Sequence, residues 1–492
     1  MPAPSRSSRA GAPSRRRKPA PVRPSERAAR LRETARRGSV RDLGPLLAAL
    51  NDPLAGIRQT AAIALGILRD PRGRSVLAAA VSDPDPGVRA AAAEALGALR
   101  RPESTVVLER ALDDPEPHVR AKAALALAEI ADPGAVPALA GCADDPATEV
   151  RQAVAIALGR AGGDAAMAAL LALLADPSDR VRREAVLGLG RARGDRWLPD
   201  VRARLDDPAR RVRVAAAVVA GRHRDRASVP ALLRRLAAPE RWEKPAVLIA
   251  LGRIGDPAVL PSLRAAAEDP AHWIRVCAVT AIGDLAAPES RAIARRHLAD
   301  PYWSVRGAAA IALGSVGRAD DLAPLLERLQ DEHPWPRRGA IYALGRLGLT
   351  EAAPRIREEL ADPSAEVQLA AIWALGRLGD DGAREDLVRL LYASRPNAPP
   401  AAGAPADAAG LVSDAEGRLF DALVQALGRL GRDVADPLVR RALADARERL
   451  SEEELDRAAR LPLPETAYDR PAPTVRALFE TALPVSADDE DG

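Results

Sequence analysis

The sequence predicts an all-α protein, an α-solenoid built as a superhelical array of about twelve 31-residue helix-turn-helix repeats. Three observations lead to this prediction. Apolar residues make up 47% of the 492 residues but aromatic residues only 2%, so the interior must consist of small aliphatic side chains, which suit closely packed helices. A short motif recurs at a constant spacing, as at Asp52, Asp83 and Asp114. The apolar residues within the motif follow the period of an α-helix.

An aspartate, usually followed by proline, marks the start of each repeat. We call this position the anchor and number the repeats from one to eleven by it. An aspartate before a proline favours the start of a helix, because its carboxylate accepts hydrogen bonds from free amides and the proline sets the first helical φ. The anchors are Asp52, Asp83, Asp114, Asp145, Asp176, Asp207, Ala238, Asp269, Asp300, Asp331 and Asp362.

The first helix of each repeat follows its anchor. Apolar residues stand five, nine, twelve, thirteen and sixteen positions later, and at 100° per residue these positions share one face of a helix. A glycine stands fourteen positions after nearly every anchor. In repeat two the apolar positions are Val88, Ala92, Ala95, Leu96 and Leu99.

An arginine recurs six positions after the anchor, from Arg58 to Arg337, with Lys244 in repeat seven and Gln368 in repeat eleven. This arginine can pair with the aspartate of its own repeat or with that of the neighbouring repeat. In both cases the pairs form a row of alternating charges along one edge, which we call the ladder. We expect this ladder to be structural, because residues that bind a partner need not recur in every repeat.

A second helix completes the repeat, as in the segments that begin at Pro137 and Pro230. Proline is tolerated there because the first helical turn has no internal acceptor for the N–H that proline lacks. The two helices of one repeat cannot close a core alone, so neighbouring repeats must stack.

Three phrases carry a resemblance to a known family. They are Asp83-Pro-Asp-Pro-Gly-Val-Arg-Ala-Ala-Ala-Ala-Glu-Ala-Leu-Gly, Val181-Arg-Arg-Glu-Ala-Val-Leu-Gly-Leu-Gly and Val305-Arg-Gly-Ala-Ala-Ala-Ile-Ala-Leu-Gly. Over about residues 40 to 450 the chain resembles HEAT repeats, particularly the short phycobilisome-lyase-like subtype. That family includes scaffolds, chromophore lyases and a di-iron hydroxylase, so the resemblance implies the fold and leaves the function open.

The array is expected to extend over residues 39–460, with a flexible insertion at about 393–413. Residues 1–38 are expected to be a disordered basic tail, and residues 461–492 a disordered C-terminal tail, because both segments offer little to bury. Residues 1–41 contain thirteen Arg and Lys against Glu26 and Glu33. This charge suits contact with nucleic acid or with an acidic partner.

Motifs for catalysis, metals and membranes are missing from the sequence. None of the five histidines is followed by Glu, so the His-Glu pairs of the hydroxylase relatives cannot be carried over. Cys142 and Cys277 lack ligand-type neighbours, and no phosphate-binding or nucleophile motif occurs. The first forty residues contain no apolar stretch of the length that a secretory signal needs, and no later stretch has the length of a membrane span. We expect a cytoplasmic protein without cofactor, metal or catalytic residues.

The scarce aromatic residues cluster in repeats seven to eleven. By resemblance to HEAT arrays, the first helix of each repeat lines the concave side, which places aromatic residues near its start along the lip of a groove. Such residues suit binding of a partner, although packing against the next repeat competes as an explanation, above all for Tyr342 and Trp373. The predicted partner-binding residues are Trp242, Trp273, Tyr302, Trp303, Trp335, Tyr342, Arg346, Trp373 and Arg377.

The leading hypothesis for function is a non-catalytic scaffold or adaptor that binds an acidic, partly apolar protein or peptide in this groove. One alternative is a tetrapyrrole or chromophore lyase-like accessory protein, which the family resemblance implies. The other is association with nucleic acid through residues 1–38.

Overall fold

The computed structural model describes residues 23–37, 43–238 and 240–393. These residues confirm the predicted α-solenoid, since they form helices and turns and contain no strand. They fall into two compact units, which meet in sequence between Trp197 and Leu198.

Long helices alternate with shorter ones in both units. The unit up to Trp197 contains α1 (Pro24–Arg37), α2 (Leu43–Ala49), α3 (Ala55–Leu68), α4 (Arg74–Ala80), α5 (Pro86–Ala98), α6 (Thr105–Ala111), α7 (Pro117–Ile130), α8 (Val136–Gly141), α9 (Thr148–Ala161), α10 (Asp164–Leu173) and α11 (Asp179–Leu189). The unit from Leu198 contains α12 (Leu198–Ala203), α13 (Arg210–Arg222), α14 (Val229–Ala237), α15 (Lys244–Ile254), α16 (Leu260–Ala266), α17 (His272–Leu285), α18 (Ser290–His297), α19 (Trp303–Val316), α20 (Leu322–Arg328), α21 (Pro334–Leu347), α22 (Ala353–Glu358), α23 (Ala365–Leu378) and α24 (Arg384–Ala393).

Each anchor aspartate stands two residues before the cap of its long helix, so the helix starts later than the Asp-Pro pair predicts. In repeat two, Oδ1 of Asp83 accepts a hydrogen bond from the backbone N–H of Asp85 at 2.9 Å. Asp85 is the cap of α5, and its side chain accepts from the N–H of Val88 at 3.1 Å. The anchor therefore shapes the turn that leads into the helix.

Neighbouring long helices touch almost backbone to backbone, and small side chains make this possible. A Cβ atom placed on Gly97 would lie 2.6 Å from Cα of Ala126 in the next long helix. A Cβ atom on Gly252 would lie equally close to Cα of Ala281. The recurrent glycine is thus required for close approach, which explains why it keeps the period of the repeat.

The arginine that follows each anchor joins consecutive repeats. Nε and one Nη of Arg89 donate to both carboxylate oxygens of Asp114, the next anchor, at 2.7 and 2.9 Å. The other Nη donates to the backbone carbonyl of Asp83, its own anchor, at 3.0 Å. The same bidentate pairing links Arg58 to Asp83, Arg120 to Asp145, Arg151 to Asp176, Arg275 to Asp300, Arg306 to Asp331 and Arg337 to Asp362.

Repeat seven departs from this pattern, because Ala238 replaces the anchor aspartate. The carboxylate that Arg213 needs comes instead from Glu243, which accepts from Nε of Arg213 at 2.9 Å. Glu243 also accepts from Arg235 at 3.0 Å, and it is only 2% exposed. A short 3₁₀ turn at Arg241–Glu243 brings this glutamate into place, and α15 begins only after it.

Residues 24–37 correct one prediction, because they form helix α1 within the segment expected to be disordered. Leu31 and Ala35, four residues apart on one face, are buried, and α1 packs against α3. Arg27 forms an ion pair with Asp52, the first anchor. A charged sequence therefore needs only one narrow apolar face to pack as an additional helix.

Several predictions concern residues outside the described ranges. These are the basic segment up to residue 22, the insertion beyond Ala393, the twelfth repeat and the C-terminal segment 461–492.

Candidate partner-binding surface

The candidate surface is formed by the long helices of repeats six to eleven, within the second compact unit. Residues four, seven, eleven and fifteen positions after the anchor share one face of each helix, on the side away from the apolar core positions. We call this face the long-helix surface. It extends from Arg211, Val214, Val218 and Arg222 in repeat six to Glu366, Leu369, Trp373 and Arg377 in repeat eleven.

Trp242 is the most exposed large apolar side chain of this surface. Its indole is 67% exposed and stacks on that of half-buried Trp273, with ring centroids 5.5 Å apart and planes 13° from parallel. Trp242 lies in the 3₁₀ turn that replaces the first turn of the long helix in repeat seven. The loss of the anchor aspartate and the exposure of an indole thus belong to the same local change.

Two more stacked pairs continue along this edge. His272 stacks on Tyr302 with centroids 4.5 Å apart, and Trp303 stacks on His333 at 3.7 Å. The guanidinium of Arg275, a ladder residue, lies 5.3 Å from the centroid of the Tyr302 ring. Neither histidine is among the partner-binding residues predicted from the sequence. The members of each pair stand one position short of a full repeat apart in sequence, and this offset is the signal that could have found them.

Trp335 serves mainly to pack one repeat on the next. A Cβ atom on Gly307 would lie 1.8 Å from Cδ1 of this indole, so the ring occupies the space that any other residue at 307 would fill. Arg338 covers the ring, with its Cζ 4.8 Å from the centroid. Trp335 is therefore half-buried, and less available to a partner than the sequence predicted.

Tyr342 and Trp373 belong to the packing between repeats, which corrects their prediction as contact residues. Each is 5% exposed, and their rings stack with centroids 5.1 Å apart. A Cβ atom on Gly345 would lie 2.8 Å from the Trp373 ring. Burial on this scale leaves little aromatic area for a partner.

Arg346 and Arg377 are exposed, and the aromatic pair beneath them holds them in position, while their role in partner binding stays a prediction. Nη1 of Arg346 donates to the hydroxyl of Tyr342 at 3.2 Å. Nε of Arg377 donates to the carbonyl of Gly345 at 3.2 Å, and its Cζ lies 5.8 Å from the Trp373 centroid.

These two arginines belong to an exposed row that also contains Arg222 and Arg253, fifteen positions after their anchors. The aromatic edge, which consists of the three stacked pairs, lies two to four positions after the anchors, with Trp242 and Trp273 at the fourth. Since an α-helix rises 1.5 Å per residue, the eleven steps from position four to position fifteen separate the two rows by about 16 Å along the helix axis.

The described residues contain no group of three His, Cys, Asp or Glu side chains that could hold a metal ion. Burial raises the pKa of the Cys277 thiol to about 12, so this cysteine stays protonated and is a poor nucleophile at neutral pH. Within the described ranges, no helix is both long and apolar enough to cross a membrane.

Comparison with solved structures shows the fold. Yeast importin-β (Kap95p) is 14% identical, with a TM-score of 0.56 over 86% of this chain and 67% of that chain. A Kap95:Nup1 complex has the same identity and TM-score over 85% of this chain and 72% of that chain. YibA from E. coli is 22% identical over 54% of this chain and 98% of its own, with a TM-score of 0.40. No curated protein matches this sequence.

Comparison with protein families shows where the chain belongs. The family described as HEAT repeats matches at residues 43–117, 105–190, 167–248, 198–276, 240–314, 269–344 and 322–398. These overlapping matches cover most of the sequence, and the phycobilisome-lyase-like subtype stays a prediction. The chain therefore belongs to the HEAT-repeat family.

Proposed function

We propose that the protein is a non-catalytic scaffold or adaptor that binds an acidic, partly apolar protein or peptide on the long-helix surface. The observation that carries this proposal is the exposed Trp242 indole, stacked on Trp273 beside a row of exposed arginines.

The stacked indoles supply an apolar anchor point. Exposed tryptophan is unfavourable in water, and tryptophan dominates binding energy at many protein interfaces. Stacking on Trp273 already restricts the Trp242 ring. A partner that covers the ring therefore causes little further loss of side-chain entropy.

Electrostatics favour an acidic partner. At the positions that define the long-helix surface, repeats six to eleven contain six arginines against Glu366 and Asp284. Exposed charge of one sign speeds the encounter with a segment of opposite sign and disfavours a basic one. Arginine also binds carboxylates through two parallel hydrogen bonds, which adds specificity.

The test uses two labelled synthetic peptides with the same leucine and phenylalanine residues, one with four Asp or Glu and one with four Lys in their place. Fluorescence anisotropy with the full chain should show binding of the acidic peptide only. Trp242→Ala should weaken this binding by about 30-fold, because loss of an interface tryptophan costs about 2 kcal/mol.

The matched control is Ile67→Ala, which removes a side chain that is 61% exposed in the first compact unit. This variant should bind the acidic peptide as the wild type does, and far-UV circular dichroism should be unchanged in both variants. Equal binding of the lysine peptide, or full affinity of Trp242→Ala, would refute the proposal.

A further inference from the structure

We infer that the long-helix surface of repeats six to eleven binds a segment of its own chain, residues 474–492, which an external partner must displace. This inference rests on the proposed function and names the first occupant of the same surface. The segment lies outside the described residues, and its sequence complements the geometry of the surface.

The segment combines an apolar stripe with an acidic run. Val475, Leu478, Phe479, Ala482 and Leu483 follow the spacing of one helical face. Four consecutive acidic residues, 488–491, come five residues after the stripe ends. This is the composition that an aromatic edge beside an arginine row would recognise.

The spacing of the two parts matches the surface. From Leu483 to Asp488 the chain can span up to about 17 Å, because an extended residue covers at most 3.3–3.6 Å. The aromatic edge and the arginine row lie about 16 Å apart, as derived above from the helical rise. The apolar stripe can therefore cover Trp242 and Trp273 while the acidic run reaches Arg253 or Arg222.

The charges are complementary. Residues 474–492 contain Arg476 against five acidic side chains, which is a net charge of −4. The long-helix surface has six arginines and two acidic residues, Glu366 and Asp284, at its defining positions, which is a net charge of +4. Pairing the two reduces repulsion within each of them, and it should weaken as salt screens both.

The segment is long enough to reach the surface. Helix α24 ends at Ala393 and belongs to repeat eleven, at the end of the surface itself. Of the eighty residues between Ala393 and Thr474, the thirteen beyond the expected end of the array at residue 460 can span up to about 45 Å when extended. Because the segment is tethered, its binding does not depend on protein concentration, and an external partner must compete with it.

Hydroxyl-radical footprinting of the full chain, read by mass spectrometry, tests this inference through the oxidation rate of Trp242. In the wild type the segment should protect this indole. Neutralising the acidic run with Asp488→Asn, Asp489→Asn, Glu490→Gln and Asp491→Asn should raise the rate by about threefold, because covering by a bound segment excludes water from the ring. Phe479→Ser should act in the same direction.

The matched control neutralises another acidic run, with Glu452→Gln, Glu453→Gln and Glu454→Gln, and should leave the rate at its wild-type value. Equal Trp242 oxidation in the wild type and in both segment variants would overturn the inference. Protection that grows with protein concentration would also overturn it, because the segment of a second copy would then be the occupant.

A peptide of residues 474–492, added to the neutralised chain, separates this inference from the proposed function. If the peptide protects Trp242 but the substitutions in the chain have no effect, the surface binds such segments and the intramolecular contact is wrong. If neither the peptide nor the substitutions change the rate, both proposals fail. Protection by the peptide together with faster oxidation of the neutralised chain supports both.

Discussion

At the scale of single residues, one glycine shows how the scaffold accommodates an aromatic side chain. Gly307 stands seven positions after its anchor, where other repeats have larger residues such as Val276 and Arg338. The indole of Trp335 fills the space that a side chain at 307 would need. A Cβ atom on Gly339 would in turn lie 2.8 Å from the carbonyl oxygen of Gly307, so α19 and α21 approach closely here.

Gly307→Ala should therefore destabilise the protein, by about 1–3 kcal/mol, which is the usual cost of overpacking a well-packed contact. Chemical denaturation measures this as a lower midpoint. Gly56→Ala is the control, since a Cβ atom there has no neighbour within 4 Å and should be neutral or slightly stabilising. In a Trp335→Ala background, Gly307→Ala should no longer lower the free energy of unfolding. The same destabilisation in that background would show that the indole is not the cause.

The anchor carboxylates predict a dependence of stability on pH. Burial by itself raises the pKa of Asp83, but hydrogen bonds from Arg58 and from the Asp85 amide, with the charges of Arg58 and Arg89, outweigh it and hold that pKa below its ordinary value. A group whose pKa is lowered by folding stabilises the protein fully above its unfolded pKa. That stability is lost as the pH falls through the lower, folded value.

Asp83→Asn should accordingly be less stable than the wild type at pH 7, and the difference should shrink as the pH falls below about 4. Urea denaturation of both proteins between pH 7 and pH 2 provides the measurement. A difference that stays constant over this range would contradict the assignment of the ladder as an ionised pair.

At the scale of elements, repeat seven shows that the ladder can be rebuilt from other positions. Here Ala238 and Lys244 replace the aspartate and the arginine of the ladder. The structure instead pairs Arg213 and Arg235 with Glu243, and Arg241 donates to Asp269 at 2.9 Å. The altered turn keeps the repeats joined and brings Trp242 to the surface.

Glu243→Gln should cost about 3 kcal/mol, because it leaves two partly buried guanidinium groups without their carboxylate. Glu240→Gln is the matched control, since this half-exposed side chain lies 3.8 Å from Arg235 and should matter little. Adding Ala238→Asp should restore part of the loss, because position 238 is the anchor that follows Arg213, just as Asp207 follows Arg182 in the preceding repeat. If chemical denaturation shows no such recovery, an aspartate at position 238 cannot take the place of Glu243 as the partner of Arg213.

The long helices were largely predictable from the sequence, but the hydrogen-bond partners of the ladder arginines were not. The period of the repeat located every long helix from α3 to α23, but it left two aspartates open to each arginine, the anchor before it and the anchor after it. Only the stacking of repeats selects the carboxylate of the following anchor and the carbonyl of the preceding one. The same limit explains α1, whose burial depends on its contact with α3.

At the scale of the whole molecule, a regular scaffold carries a local group of aromatic and arginine side chains. The sequence located this group in repeats seven to eleven, because the aromatic residues interrupt otherwise constant columns. It favoured packing for Tyr342 and Trp373, but it could not separate exposed Trp242 from half-buried Trp335, since exposure depends on the neighbouring repeat. The stacked histidines were missed because each stands one position short of a full repeat from its aromatic partner, outside the constant columns.

The central claim is that this group, on the long helices of repeats six to eleven, is the place where a partner binds. Hydrogen exchange read by mass spectrometry tests this on the chain with residues 488–491 neutralised as above, with and without the acidic peptide, because the wild-type segment would otherwise occupy the surface. We expect slower exchange in residues 240–246 and in α15 and α17, and no change in α3 to α9. Protection confined to α3 to α9, or no protection at a peptide concentration that saturates anisotropy, would contradict it.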